Sequence, residues 1–368
     1  MTIPMNGGAK RRLIAPGITV LALGLALTGC GAANEKPTSS SLSGKLDGSG
    51  SSAQESAMDA WRSAFQSANA NVTINYDPAG SGAGVEKFKA GGVDFAGSDS
   101  ALDPTAGEVA AAKKRCGADA LEVPDYISPI AVVYHLKGVA KLQMSAKTIG
   151  LIFDGKVTKW NDSAIKAENP GATLPSTTIS PVHRSDESGT TKNFTDYLEK
   201  AGSGGWSHPA DKVWPIKSGE GASGTSGVIS SVTQGDGTIG YADDSQAGGL
   251  SKVSVKVGAV YVAPSAEGAA KALAASPLDT SRTAGDMAVK VDRTTTQAGS
   301  YPLFLASYLI ACPSYSNKGK AAVVKSFLSY ILSTEGQQAA AKNAGSAPLP
   351  ASLQKQAQGI VEKISAKG

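Results

Sequence analysis

Ile179-Ser180-Pro181-Val182-His183-Arg184-Ser185-Asp186-Glu187-Ser188-Gly189-Thr190 runs from an apolar, β-branched start into a polar turn that carries glycine. Phe194, Tyr197 and Leu198 then recur at helical spacing, so the stretch reads as strand, turn and helix. The same order occurs earlier. Val72 to Tyr76 alternates as a strand and Pro78 to Gly84 forms a loop. A short helix through Val85 and Phe88 follows, and Val93-Asp94-Phe95-Ala96 returns as a strand ending at Gly97-Ser98-Asp99. Strands alternating with helices in this way predict an α/β fold. Upstream, Ala53, Ala57, Trp61, Ala64, Phe65 and Ala68 lie on one helical face behind Ser51 and Ser52, which predicts a capped helix. Downstream, Ile127 to Tyr134 and Pro302 to Cys312 read as buried strands, Lys147 to Phe153 and Gly227 to Gln234 as helices. Ala321 to Leu332 and Glu335 to Asn343 read as the closing helices.

The N-terminus fixes the compartment. Lys10-Arg11-Arg12 precede an apolar run from Leu13 to Leu27, and Leu27-Thr28-Gly29-Cys30 places small residues directly before a cysteine. Residues 1–29 therefore read as a lipoprotein signal peptide, too short and wrongly flanked to span a bilayer, with Cys30 carrying the lipid. Localisation is then extracytoplasmic, with the protein anchored to the outer face of the membrane. Ser, Thr, Pro, Asn and Gly together make up most of Gly31 to Gly50, which reads as unable to bury a core, so residues 30–45 are expected to be a flexible tether. Beyond it, about 320 residues exceed one ordinary core and predict two lobes. Cys116 and Cys312 remain as an even pair in an oxidising compartment, which favours a disulfide over two separate buried thiols. Neither has the CxxC spacing or the His neighbours of a metal site.

Loss of residues 1–29 leaves 32 Lys and Arg against 31 Asp and Glu, a formal +1. No basic stripe interleaved with aromatics exists, so nucleic acid is not an expected partner. Three places instead share one physical form: Gly50-Ser51-Ser52-Ala53, Gly80-Ser81-Gly82-Ala83-Gly84 and Ser188-Gly189-Thr190 each put Ser and small residues at a helix start. N–H groups without intrahelical partners, and the positive end of the helix dipole, favour an anion there. Each alone is more often a plain cap. Arg184-Ser185-Asp186 adds a planar guanidinium fork for oxyanion oxygens and a carboxylate two residues on that can hold the fork in place.

Together these stretches resemble the substrate-binding component of the bacterial phosphate ABC transporter. Besides the motifs above, the resemblance rests on Gly155-Lys156-Val157-Thr158-Lys159-Trp160-Asn161-Asp162, Asn169-Pro170-Gly171, Leu174-Pro175, Trp214-Pro215 and Gly237-Thr238-Ile239-Gly240-Tyr241, in the family's order over residues 46–355. It implies an α/β, two-lobed periplasmic binding protein fold of type II with two hinge crossings. Lobe 1 would comprise residues 46–127 with 298–368, and lobe 2 residues 128–297. The implied ligand is inorganic phosphate, captured by a monomer and delivered to a transmembrane permease with ATPase subunits, with no cofactor and no metal. The implied phosphate contacts are Ser52, Ala53, Ser81, Asp99, Arg184, Ser188, Gly189 and Thr190, with Asp186 orienting Arg184. Two positions depart from the family: Ala53, where a bulkier apolar residue is usual, and Glu187, where Gly is common. Asp99 is the expected selectivity residue, because an ionised carboxylate only accepts hydrogen bonds and so favours an oxyanion that keeps a proton. Sulfate has none at neutral pH.

Rival readings fail on context. Gly219-Glu220-Gly221-Ala222-Ser223-Gly224 satisfies GxGxxG, but does not open the first βα turn of a domain and reads as a structural loop. A phosphate-ester hydrolase would need clustered metal ligands or a base beside Ser188, whereas His135, His183 and His208 are scattered. Capture of sulfate, molybdate or tungstate is the other binding alternative, and Asp99 opposes all three. Trp160, Trp206 and Trp214 are singly spaced and read as core packing, not a sugar platform.

Overall fold

The computed structural model describes residues 42–367. The signal peptide, Cys30 and most of the tether lie outside the described residues. The chain opens with β1 (Gly44–Gly50), α1 (Glu55–Ala68), β2 (Val72–Asp77), α2 (Ser81–Lys89), β3 (Phe95–Ser98) and α3 (Glu108–Cys116), then the long β4 (Leu121–His135). Next come β5 (Leu142–Met144), α4 (Ala146–Phe153), α5 (Ser163–Glu168), β6 (Ser180–Arg184), α6 (Gly189–Ala201), β7 (Glu220–Ala222), α7 (Gly224–Gln234), β8 (Thr238–Asp243), β9 (Ser251–Val257) and β10 (Val260–Val262). The chain ends with α8 (Ala266–Ala274), β11 (Phe304–Ala311), β12 (Ser314–Tyr315), α9 (Lys318–Ile331), α10 (Thr334–Ala344), α11 (Ala351–Val361) and β13 (Ser365–Ala366). The main sheet runs β2-β1-β3-β11-β4-β8-β6-β7.

The α/β expectation holds, and β4 shows how two lobes share one sheet. Its first part, Leu121 to Pro129, pairs antiparallel with β11, and from Ile130 onward it pairs with β8. One strand therefore leaves one lobe and enters the other without a break. Two main apolar cores flank the crossing. The first gathers Leu46, Trp61, Phe65, Phe88, Phe95, Tyr126 and Phe327. The second gathers Tyr134, Ile149, Phe153, Trp160, Phe194, Tyr197, Trp214 and Tyr241. Ala269, Ala272, Leu273 and Met287, counted with residues 128–297 from the sequence, pack into the first core. The chain thus re-enters that core before β11.

Burial, not capping, holds α1. Its N-cap Gln54 makes no side-chain cap bond, yet Trp61 and Phe65 are buried, each contributing about 1.5–3 kcal/mol. Trp61 Nε1 also donates to Gly336 O at 2.7 Å, tying α1 to α10. Trp160, Trp206 and Trp214 are buried in the second core, and His183 stacks on Trp214 with ring centroids 4.8 Å apart.

Four details differ from the sequence reading. The helix expected from Ala53 begins at Glu55, because Ser51 Oγ accepts the N–H groups of Ala53 and Gln54 and closes a turn first. The helix after Pro78 starts already at Ser81. A further helix, α11, follows the two expected to close the chain. Most consequentially, the end of the Ser- and Gly-rich stretch is β1, a parallel strand between β2 and β3. Its glycines are there for close approach: a Cβ on Gly50, whose φ is +149°, would meet Gly97 O at 1.9 Å.

Cys116 and Cys312 are joined, with Cα atoms 5.2 Å apart, linking the end of α3 to the residue after β11. The bridge closes a separation of 196 residues, a long loop whose restriction in the unfolded chain stabilises by about 2–5 kcal/mol. Cys116→Ser with Cys312→Ser is expected to lower the unfolding free energy by that amount, with a lower urea midpoint and a larger m-value as the unfolded chain expands, checked by equilibrium unfolding under non-reducing conditions.

Candidate functional site

β3 ends one residue before Asp99, which is 2 % exposed and faces elements of both lobes. Oδ1 accepts from Ser51 Oγ at 2.5 Å and from Ser307 Oγ at 2.9 Å. Oδ2 accepts from Thr190 Oγ1 at 3.0 Å and, at the long distance of 3.5 Å, from Ser81 Oγ. Ser81 Oγ also accepts the Asp99 N–H. Asn193 Nδ2 donates to Asp99 O at 2.5 Å and to Gly189 O at 2.9 Å, locking α6 against the end of β3. Burial raises the Asp99 carboxyl above the usual range, and hydrogen bonds from Ser51, Ser307 and Thr190 and the charge of Arg184 offset that rise only in part.

Arg184 ends β6 and is buried. Its Nε and Nη2 donate to Asp186 Oδ1 and Oδ2 at 2.7 and 2.5 Å, a two-pronged pair. Asp186 Oδ1 also accepts the Gly224 N–H at 3.0 Å. Burial would raise the Asp186 carboxyl, but the Arg184 bonds and charge and the Gly224 N–H outweigh it, so its pKa is lowered. Asp186 is therefore a fixed anion that aims the guanidinium. The GxGxxG stretch has a structural job here: it supplies β7, the start of α7 and that Gly224 N–H.

At the start of α6, Ser188 Oγ accepts the Thr191 N–H as a cap, and Gly189 and Thr190 form the first turn, whose N–H groups have no intrahelical partner. A Cβ on Gly189 would sit 2.8 Å from Ser81 Oγ and 2.9 Å from Asp99 Cβ, so only glycine allows this approach. Across the cleft, the Gly82 N–H donates to Glu187 O at 3.0 Å. Ser81, Asp99, Arg184, Asp186, Ser188, Gly189 and Thr190 thus meet in one place. Ser52 and Ala53 stand beside it with other partners: Ser52 Oγ bonds Thr225 Oγ1 at 3.0 Å and accepts the Thr225 N–H, while the Ala53 N–H goes to Ser51 Oγ.

Several participants escaped the sequence reading. Ser51 was expected as a cap and as part of a helix start, not as a partner of Asp99. Ser307 is the one serine in the apolar run of β11, a polar interruption that could have marked it. Asn193 carries no local signature, and Tyr241, whose hydroxyl accepts the Arg184 N–H at 3.2 Å, was read only as the end of the Gly237 to Tyr241 motif. Among the described residues no group of three His, Cys, Asp or Glu could hold a metal. A cavity of about 640 Å³ opens beside Asn193 and Arg293. Its cations Lys192, Lys200, Arg282, Lys290 and Arg293 are already paired with acids, so it is no second anion site.

Residues 35–335 match the family model of a PBP superfamily domain. The chain is 36% identical over 365 residues to phosphate-binding protein PstS2 of Mycobacterium bovis BCG, covering 95% of this chain and 98% of that one. It is 33% identical over 321 residues to phosphate-binding protein PstS of Xylella fastidiosa, covering 85% and 83%. This chain belongs to the PstS family. The fold agrees. A phosphate-binding protein from Stenotrophomonas maltophilia matches with a TM-score of 0.66 at 19% identity, covering 86% of this chain and 94% of that one. A putative phosphate ABC transporter substrate-binding protein from Clostridium perfringens, solved with bound phosphate, matches at 0.58 and 21% identity, covering 82% and 98%.

In this PstS-family chain the cleft is shut by contacts between the lobes. Lys212 Nζ lies 2.5 Å from Glu108 Oε1, and the two residues are 8 % and 9 % exposed. Lys192 pairs with Asp103 at 3.0 Å and Gln246 Nε2 donates to Ser52 O at 2.7 Å. Removing one partner of a buried pair strands the other charge, at about 2–5 kcal/mol. Glu108→Gln is therefore expected to raise the dissociation rate of a bound oxyanion by roughly tenfold or more, read by stopped-flow fluorescence, with little change in which oxyanion is preferred.

Proposed function

We propose that this chain captures inorganic phosphate outside the cell membrane and delivers it to the permease and ATPase subunits of an ABC importer. The observation that carries this reading is Asp99, a buried carboxylate placed among hydroxyl donors and opposite a buried, carboxylate-aimed Arg184. The N–H groups at the starts of α2 and α6, with Arg184, balance the charge of an oxyanion that has left its water behind. Asp99 then tests for a proton on the ligand. Hydrogen phosphate and dihydrogen phosphate satisfy it, whereas sulfate would press lone pairs against lone pairs. Closure of the lobes completes the shell, because Thr190 and Arg184 come from one side and Ser81 and Asp99 from the other.

No catalytic step is part of this reading. Ser188 Oγ is engaged as the cap of α6, and Asp186 is engaged by Arg184, so neither is set up as nucleophile or base. Cys30 is proposed to carry the lipid that holds the protein at the outer face of the membrane. Cys30→Ala should move the protein to the soluble fraction, checked by fractionation and loss of metabolic labelling with palmitate.

Isothermal titration of the chain lacking residues 1–30 should show strong heat with phosphate and none with sulfate at pH 7, and absence of heat with phosphate overturns the reading. Asp99→Asn replaces an obligate acceptor with a group that can also donate. It is expected to raise sulfate affinity by roughly tenfold or more while phosphate affinity falls, measured by competition titration.

A further inference from the structure

The two oxygens of Asp99 have different company. Oδ1 is taken by Ser51 Oγ and Ser307 Oγ, neither of which is among the groups assigned to the ligand. Oδ2 has Thr190 Oγ1 and the distant Ser81 Oγ, both of which belong to the ligand-binding set and can turn toward an oxyanion. We propose that Ser51 and Ser307, by committing Oδ1, are positioning residues that hold Asp99 as an acceptor with Oδ2 presented to the ligand, and so set its selectivity for phosphate over sulfate. The proposal rests on the phosphate-binding reading above and names residues that reading does not use.

Geometry supports the division. Ser51 sits in the turn between β1 and α1, where its Oγ also accepts the N–H groups of Ala53 and Gln54. With those N–H groups donating to its lone pairs, the hydroxyl proton is directed to Asp99. Tyr76 Oη donates to Ser51 O at 3.0 Å and fixes that turn. Ser307 comes from β11, whose antiparallel pairing with β3 sets Tyr308 opposite Ser98, so its position follows from sheet register. Both serines are wholly buried, so neither hydroxyl has water as an alternative partner.

The remaining groups facing Asp99 define what the serines oppose. Arg184 on β6 contributes positive charge and Asp125 on β4 lies within electrostatic range as a second acid. Tyr76 on β2 and Asn193 on α6 complete the ring, the latter through the Asp99 carbonyl. Desolvation is the largest influence on the Asp99 carboxyl and favours its neutral form; the Ser51 and Ser307 hydrogen bonds come next and favour the anion. A protonated Asp99 is a donor as well as an acceptor, and would accommodate sulfate. Loss of a hydroxyl therefore raises the pH below which sulfate is admitted. A hydrogen bond to a charged group corresponds to about one pH unit or more.

The test is the pH dependence of sulfate and phosphate binding, by isothermal titration from pH 4 to 9, for the purified protein and its variants. Sulfate binding should emerge only on the acid side in the wild type. Its midpoint should move up by about one pH unit in Ser307→Ala and further in Ser51→Ala with Ser307→Ala, at a phosphate affinity reduced less than tenfold at pH 8. Ser307→Thr, which keeps a hydroxyl, should return the midpoint to the wild-type value. Parallel weakening of both anions with an unmoved midpoint would assign the serines a packing role and overturn the proposal. If the double variant does not fold, by circular dichroism, the Ser307→Ala and Ser307→Thr pair decides alone. Failure of the wild type to bind phosphate at all would instead sink the functional reading, a separate outcome.

Discussion

A carboxylate in a dry place is the constraint on which the rest of this structure depends. Asp99 is nearly inaccessible, and an ionised group there is tolerable only if hydrogen bonds replace the water it has lost. Ser51, Ser81, Thr190 and Ser307 supply them from four separate elements. Those elements must approach more closely than side chains normally permit. Hence the glycines: a Cβ on Gly97 would meet Tyr76 Oη at 2.5 Å, and one on Gly84 would meet Gly50 Cα at 2.4 Å. The Gly- and Ser-rich composition that makes the N-terminal stretch look unfoldable is what lets β1, β3 and α2 crowd around one acid.

The long strands serve the same end. β4 carries the chain from one core to the other in a single extended run, and β11 lies antiparallel to both β3 and β4. Ser307 and Asp99 are thereby held at fixed positions relative to the crossing. Tyr126 Oη, on the β4 side of the crossing, donates to Asp243 Oδ1 at 3.0 Å, at the end of β8. The lobes are therefore joined at the crossing by backbone and at the mouth by the Glu108–Lys212 pair. Such a pair adds little net stability after desolvation, yet it penalises any closure that leaves it misaligned.

Local chemistry was legible in the sequence wherever the partners are close along the chain. Arg184 and Asp186 are two residues apart, and Ser188 caps a helix that starts at the next residue, so their roles follow from spacing. The alternating strands were legible for the same reason. Contacts between residues far apart were not. Thr225 holds Ser52 across 173 positions and Ser307 reaches Asp99 across 208. A serine in an apolar strand signals an unmet polar need, but not where it is met. β1 failed for a different reason: Leu46 is its one large apolar side chain, and the rest of the strand works by being small.

On the proposed role of Asp99, selectivity and closure are one event. The groups acting on Asp99 are divided between lobes: the donors Ser51, Ser81 and Ser307 share its lobe, while the donors Thr190 and Asn193 and the charge of Arg184 belong to the other. On that reading the Thr190 bond and the Arg184 charge, both of which favour the ionised form, reach the carboxylate only when the lobes close. After closure they are added in the same step that excludes water and seats α6 against the end of β3. A ligand without a proton to give opposes that step directly, because it sets acceptor against acceptor where no solvent can intervene. Rejection is then expressed as failure to close rather than as weak contact in an open cleft. A surface formed only on closure, such as a permease could recognise, would report both occupancy and chemical identity.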